Sequence, residues 1–333
     1  MTPNDIFLKY ASKRLPEGRS LIEFSLTAFV VEHSEFSKGM AAIAEVHGFR
    51  NSRGLGIGIL IMADSGFGKS VLLMQYYALF PRQILANKSL IPVLYVVLPS
   101  NPTSLSIVIE ILLALGDPLA LKKSESASLK TQRLYQFLVA CKVEIILMDE
   151  PHHLDVSLNS MEFYIAQNWL KNLISIGNVA VVASGMPHSK NILHSNKELK
   201  RRFLKQVNLS GFSLYDEGSF EEFRSVLKKF DELLPFDCEI PLYERNLARR
   251  ILIASNGLLD YVGKLLDAAV HIAQFMYKPM INAEVLAAAF REYIWPEVPE
   301  KLNPFHPDSP LRKLDKFGEP YHPDSKQYRG AKK

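Results

Sequence analysis

The sequence predicts an α/β fold: a parallel five-stranded sheet sandwiched by helices, followed by a smaller all-helical unit. Three observations predict it. Apolar, β-branched runs of strand length alternate with helical periodicity as far as Leu209. A glycine-rich turn carrying a lysine and a hydroxyl separates the first such run from the first strong helix. After Gly211 the strand signal gives way to apolar residues at helical spacing.

Residues 1–35 read as an N-terminal extension, broken at Leu15-Pro16-Glu17-Gly18. Residues 36–49 place Met40, Ile43, Ala44 and Val46 on one face of a short amphipathic helix, and Asn51-Ser52-Arg53-Gly54 is a turn. The first strand is Ile57-Gly58-Ile59-Leu60-Ile61-Met62, and the helix after the glycine turn stops by Pro81. Val93-Leu94-Tyr95-Val96-Val97-Leu98 is apolar on both faces, as a covered parallel strand requires. Thr103 or Ser104 caps a helix to about Leu115, Gly116-Asp117-Pro118 breaks it, and helical spacing resumes through Leu134, Phe137 and Leu138. Val143-Glu144-Ile145-Ile146-Leu147-Met148 is the third strand, residues 161–176 a helix, Asn178-Val179-Ala180-Val181-Val182-Ala183 the fourth strand, and Val207-Asn208-Leu209 a short fifth. Residues 212–294 read as an all-helical second domain. Recurrent prolines with little apolar periodicity make residues 295–333 an extended tail.

The chemistry concentrates at strand ends. The stretch Ala63-Asp64-Ser65-Gly66-Phe67-Gly68-Lys69-Ser70-Val71 has strand before it and helix after it, the context of a phosphate-binding loop. Gly66 and Gly68 let backbone N–H groups turn inward, the helix starting at Lys69 adds its positive dipole end, Lys69 reaches the β/γ-phosphates, and Ser70 holds Mg²⁺. Ala63 stands where the usual pattern has glycine. The third strand ends in Asp149-Glu150: Asp149 would act on the Mg²⁺ side and Glu150 would polarise the attacking water. Ser184 ends the fourth strand, either as a sensor of the γ-phosphate or as a plain strand-end cap. Residues 188–205 form the most basic local stretch, including Arg201 and Arg202. His152, His153 and Asp155 do not make a convincing metal site, because adjacent histidines on a loop rarely converge on one ion.

The 333 residues suffice for about two domains. With 48% hydrophobic and 22% charged residues the chain reads as globular, and with two cysteines it is expected in the reducing cytoplasm, outside any disulfide framework. The N-terminus has no signal-peptide pattern and no apolar run spans a bilayer. A net charge of +4 is compatible with nucleic acid.

In order along the chain stand the phosphate loop, Ile145 to Leu154 (IILMDEPHHL), Val179 to Met186 (VAVVASGM), Glu198 to Gly211 (ELKRRFLKQVNLSG) and a lid with Ser255-Asn256-Gly257. This resembles the AAA+ P-loop NTPases of the initiator/loader branch, and more narrowly the transposon-encoded TniB/TnsC family of ATP-dependent target regulators. The resemblance covers about residues 36–294 and sets residues 36–211 as the ATPase core. It implies ATP and Mg²⁺ as cofactors and slow, regulatory hydrolysis. It implies a ring or helical filament of about six or seven subunits per turn on duplex DNA, working with transposase subunits and a target selector of TniQ type, and no membrane. It puts Arg202, with Arg201 as alternative, in the place of an arginine finger. The lid has no arginine soon after Gly257, so Lys264 is the substitute sensor. DNA contacts fall to Asn101, Thr103, Lys122, Lys123 and Lys130, directed at phosphates. Two other classes share this pattern: a helicase or replication-initiation loader, and a nucleotide-stabilised scaffold or signalling protein. A P-loop small-molecule kinase leaves the helical lid and Arg201-Arg202 without a role.

Overall fold

The computed structural model describes residues 25–26, 29–86, 88–99, 103–150, 161–194, 196–276 and 280–322. They form two compact units: Ser34–Ser210, and the described residues up to His33 together with those from Gly211 onward.

The first unit begins with α1 (Ser34–Arg53), then β1 (Gly58–Met62), the glycine loop and α2 (Lys69–Ala78). A hairpin, β2 (Gln83–Leu85) and β3 (Lys88–Leu90), precedes β4 (Val93–Val97). Next come α3 (Ser104–Leu115), α4 (Ala127–Ala140), β5 (Ile145–Asp149), α5 (Met161–Ile176) and β6 (Ala180–Gly185). A 3₁₀ turn at Pro187–Lys190 leads through α6 (Asn191–His194) and α7 (Lys197–Lys200) into β7 (Phe203–Asn208). The sheet order is β4-β5-β6-β1-β7, with every pairing parallel.

Two cores cover the sheet. Ile59 and Ile61 of β1, Ile145 and Leu147 of β5, and Ala180 and Val182 of β6 pack with Ile43 and Val46 of α1 and Leu72, Leu73 and Tyr76 of α2. Leu60, Ile146, Met148, Val181 and Ala183 face the other way, into Ile111 and Leu112 of α3, Leu134 and Leu138 of α4, and Leu170 and Leu173 of α5. The period of two along each strand divides the residues between these layers. Cys141 and Trp169 lie in the second core.

Local capping sets several boundaries. Thr103 caps α3 in a reciprocal box with Ser106, and Gly116 closes that helix in the left-handed region. α1 continues to Arg53, over most of the turn expected at residues 51–54, where the Asn51 amide donates to Glu144 Oε2 at 3.0 Å and ties down its last turn. The β2–β3 hairpin lacks a sequence signal because its strands are short and face water: Ile84 is 81% exposed. β7 starts inside the basic run. It is an edge strand, and its Lys205 reaches solvent and pairs with Glu45 of α1.

The second unit contains α8 (Glu217–Leu233), β8 (Asp237–Cys238), α9 (Arg245–Ser255), α10 (Leu259–Phe275), β9 (Met280–Ile281), α11 (Ala283–Tyr293) and a 3₁₀ turn at Glu300–Leu302. Phe220, Phe223 and Phe230 of α8, Ile251 and Leu252 of α9, Leu265 and Leu266 of α10, and Phe290 of α11 share one core. The residues before Ser34 join it: Leu26 and Val31 are buried there, and Asp267 accepts from the Leu26 N–H and the Ser25 hydroxyl, each at 2.7 Å. Among the described residues no helix is long and apolar enough to cross a membrane.

The extended tail expected after Trp295 is corrected over its described part. Val298, Phe305 and Leu314 enter the helical core. Arg250 donates to the carbonyls of Pro304 (2.6 Å) and His306 (2.8 Å), and the Tyr321 hydroxyl donates to Ala254 O. Arg312 forks onto both oxygens of Glu319. Prolines suppressed helical periodicity here, yet widely spaced apolar residues still anchor the segment turn by turn.

Two outcomes check this packing by thermal unfolding. Leu314→Ala costs about 3 kcal/mol, the range for a buried leucine, whereas an unpacked tail would show no change. The Arg312 hydrogen bond, opposed by burial, holds the Glu319 carboxyl below its usual range. A carboxylate depressed in the folded state stabilises above its unfolded pKa, near ~4.3, and loses that contribution as pH falls through the folded value. Glu319→Gln therefore costs about 2 kcal/mol at neutral pH, and the gap to the native protein closes in acid.

Candidate functional site

The sheet alternation decides which polar groups meet. Asp149 follows Leu147 by two residues and Ser184 follows Val182 by two, so both project on the face covered by α1 and α2. Tyr95 of β4 packs on this same face. Asp149 lies opposite Ser184 in the β5–β6 register, and Ser184 lies opposite Ile61, next to the start of the glycine loop. The loop, the acid and the serine thus converge at the carboxyl ends of adjacent strands, where ligands of open α/β sheets sit.

The loop itself is shaped by its glycines and its lysine. Gly66 (φ 83°) and Gly68 (φ 86°) occupy the left-handed region that disfavours other residues. Ala63 is buried, and its N–H donates to Gly185 O at 3.1 Å. Lys69 is buried, and its Nζ donates to Ala63 O (2.9 Å) and Asp64 O (2.8 Å). Phe67 packs against the α1–α2 core, whereas Asp64, Ser65, Ser70 and Val71 are exposed. Gly68, the residue before α2, offers no side-chain cap, and a helix start of this kind suits an anion.

Asp149 is 2% exposed. Its two oxygens take one donor each: the Tyr95 hydroxyl reaches Oδ2 at 3.0 Å and the Glu150 N–H reaches Oδ1 at 3.1 Å. The same N–H lies 3.1 Å from Ser184 O. Glu150 has φ 63°, an uncommon conformation for a non-glycine residue and one that clusters at functional sites. Burial and then the Asp149 charge push the Tyr95 phenol well above its ordinary value, so it stays a donor. Ser184 Oγ is buried without a hydrogen-bond partner among the described residues.

These features fit a magnesium nucleotide. An uncapped helix start, left-handed glycines, a buried lysine, a nearly buried acid with spare lone pairs and an orphaned hydroxyl are the donors and acceptors that polyphosphate and Mg²⁺ need. Sequence reasoning missed Tyr95, because a tyrosine within an apolar strand looks like core.

The other candidates separate by burial. Arg202 O accepts from Gly58 N–H at 2.7 Å, so Arg202 sits at the opposite end of β1 from the glycine loop. The five strand residues between them make that separation about 16 Å at a strand rise of ~3.3 Å per residue. The Arg201 and Arg202 side chains are exposed and hold no hydrogen bond or ion pair among the described residues. Lys264 pairs with Asp260 on its own helix at 2.6 Å. Lys122 and Lys123 are exposed. Lys130 is not: it is 3% exposed, and its ammonium donates to Ala120 O. The expected DNA contact from Lys130 is corrected accordingly. Its partner residue Glu125 also binds Arg133, which anchors Asp117 at 2.8 Å, so these charges hold the α3–α4 connection together. The Thr103 hydroxyl is engaged in capping α3. Asn101, His152, His153 and Asp155 lie outside the described residues.

The sheet order, the glycine loop and the acid on a strand separated from it by β6 define a AAA+ P-loop ATPase. Solved structures of that fold are similar. The Aeropyrum pernix ORC2 protein in its ADP form matches at TM-score 0.58 and 14% identity, over 88% of this chain and 75% of that one. The Aeropyrum pernix ORC1 protein in complex with DNA matches at TM-score 0.56 and 17% identity, over 80% and 66%. Cdc6p from Pyrobaculum aerophilum matches at TM-score 0.56 and 14% identity, over 83% and 74%. At these identities the likeness concerns the fold. No curated protein matches the chain. The family model of the bacterial TniB protein matches residues 35–213, more than half of the chain. The chain belongs to the TniB family.

Removing the Lys130 ammonium leaves Ala120 O without its donor and Glu125 with Arg133 alone. Lys130→Met therefore lowers stability by about 2 kcal/mol in denaturant unfolding, while the salt dependence of any DNA binding stays unchanged.

Proposed function

We propose that this AAA+ ATPase assembles on duplex DNA with ATP and Mg²⁺, and that it links target selection to the transposase in DNA transposition. Family membership supports the transposition role, with transposase subunits and a TniQ-type selector as partners. When bound, the magnesium nucleotide supplies the phosphoryl group whose transfer to water is the reaction. Lys69 would then leave the loop carbonyls for the β- and γ-phosphates, with Gly66, Phe67, Gly68 and Val71 N–H groups lining the cradle. Ser70 and Asp149 would hold the metal, Glu150 would orient the attacking water, and Ser184 would meet the γ-phosphate side.

The observation that carries assembly is the placement of Arg202. Its guanidinium is solvent-exposed and some 16 Å along β1 from its own loop. That separation supports service to the site of a neighbouring copy, as an arginine finger does. ATP would then lie between subunits, and nucleotide binding and assembly would be linked. Electron microscopy of the protein with duplex DNA tests this: rings or helical filaments form only with DNA and a slowly hydrolysed ATP analogue together. Monomers throughout overturn it. A replication-initiation loader shares the ATP chemistry, and co-purification with a helicase instead of a transposase would favour that reading.

Lys69→Ala abolishes nucleotide binding and assembly, whereas Glu150→Gln binds ATP but hydrolyses it about 10²–10⁴-fold more slowly. Arg202→Ala lowers DNA-stimulated turnover by about 10³-fold. Mixing it with Lys69→Ala restores part of the rate, because one chain supplies the loop and the other the arginine; a silent mixture contradicts sharing between subunits. Lys122→Glu with Lys123→Glu reduces the slope of log affinity against log salt by about 2, and an unchanged DNA affinity removes these lysines from the interface.

A further inference from the structure

The hydroxyl of Tyr95 makes one of the two hydrogen bonds that orient Asp149. We propose that Tyr95 is a positioning residue: together with the Glu150 N–H it fixes the rotation of the Asp149 carboxylate and so sets the affinity of the site for Mg²⁺. The proposal rests on Asp149 being the metal-binding acid.

The sheet register explains why a tyrosine is required. Val97 is opposite Asp149 and Tyr95 is opposite Leu147, so Tyr95 and Asp149 are diagonal neighbours on one face. Diagonal pairs are about 7–8 Å apart at the backbone, within reach of aromatic and long side chains but not of serine or threonine. A phenylalanine would fill the same space in this apolar strand. A hydroxyl is costly there unless it is bonded, and Asp149 is the bond it makes.

The geometry also leaves room for the metal. Tyr95 engages Oδ2 and Glu150 N–H engages Oδ1, one donor per oxygen. A carboxylate offers about four lone-pair sites, so both oxygens keep capacity for a metal-bound water. Without the phenol, Oδ2 loses the contact that resists rotation about the Cβ–Cγ bond. The ring is itself braced: Tyr77 of α2 lies 6.3 Å away, centroid to centroid. α2 also carries Lys69 at its first turn. Tyr95 thereby ties the phosphate-loop helix to the acid two strands beyond the loop strand.

The test uses the full chain and a fluorescent ATP analogue at equilibrium, titrated with Mg²⁺. Tyr95→Phe is expected to need about 10-fold more Mg²⁺ for half-maximal response, the usual effect of losing a group that orients a ligand. Its affinity for the analogue in EDTA stays as in the native protein, and its melting temperature falls by no more than a few degrees. Asp149→Asn, run alongside, loses the Mg²⁺ response. A native Mg²⁺ midpoint in Tyr95→Phe, with the response lost in Asp149→Asn, overturns the role of Tyr95 and leaves the site reading standing. Native responses in both variants overturn the site reading as well. A parallel loss of EDTA affinity and melting temperature in Tyr95→Phe overturns positioning in favour of a purely structural part.

Discussion

Burial of the parallel sheet on both faces is the constraint from which the rest follows. β1, β5 and β6 carry no exposed residue, and an unpaired polar group inside them would cost several kcal/mol. Chemistry is therefore pushed to the strand ends. Asp149 is the last residue of β5, Ser184 the last but one of β6, and the glycine loop follows β1; the parallel direction puts these ends on one edge. The period-of-two alternation then selects the α2 face for both side chains.

Neutral groups approach both charges at that edge. The Lys69 ammonium bonds to loop carbonyls, and the Asp149 carboxylate bonds to a hydroxyl and an amide. Among the described residues no ion pair neutralises Asp149. Dipoles satisfy a buried charge without cancelling it, so the acid keeps its attraction for a cation. The left-handed backbone of Glu150 belongs to this arrangement, since it lets one N–H face both Asp149 Oδ1 and Ser184 O.

Basic residues show how the same chemistry serves opposite ends. Lys130 is folded inward onto Ala120 O, and Arg133 clamps Asp117 and Glu125, so these cations stabilise a connection between helices. Arg201 and Arg202 remain exposed at the end of α7, where the following strand fixes their backbone and, among the described residues, no hydrogen bond or ion pair holds their side chains. In the helical unit, Arg250 and Arg312 hold the C-terminal segment by its carbonyls and by Glu319. Each of these fates depends on which acceptors the fold brings near.

The sequence by itself determined the strand–glycine loop–helix unit, the acid pair at a strand end, the five strands and the helical second unit. These are local patterns: glycine spacing, two-sided apolar runs and helical periodicity are written in neighbouring residues. What crosses the chain was decided only by tertiary structure. The Tyr95–Asp149 bond joins residues 54 apart, and the burial of Lys130 depends on a turn ten residues earlier. Val298, Phe305 and Leu314 found a core made by helices far upstream, although prolines hid any periodicity. The short β2–β3 hairpin, facing water, left no apolar pattern to read. Local propensity is encoded within a few residues, whereas the partner of a polar side chain is set by packing, and packing is a property of the whole fold.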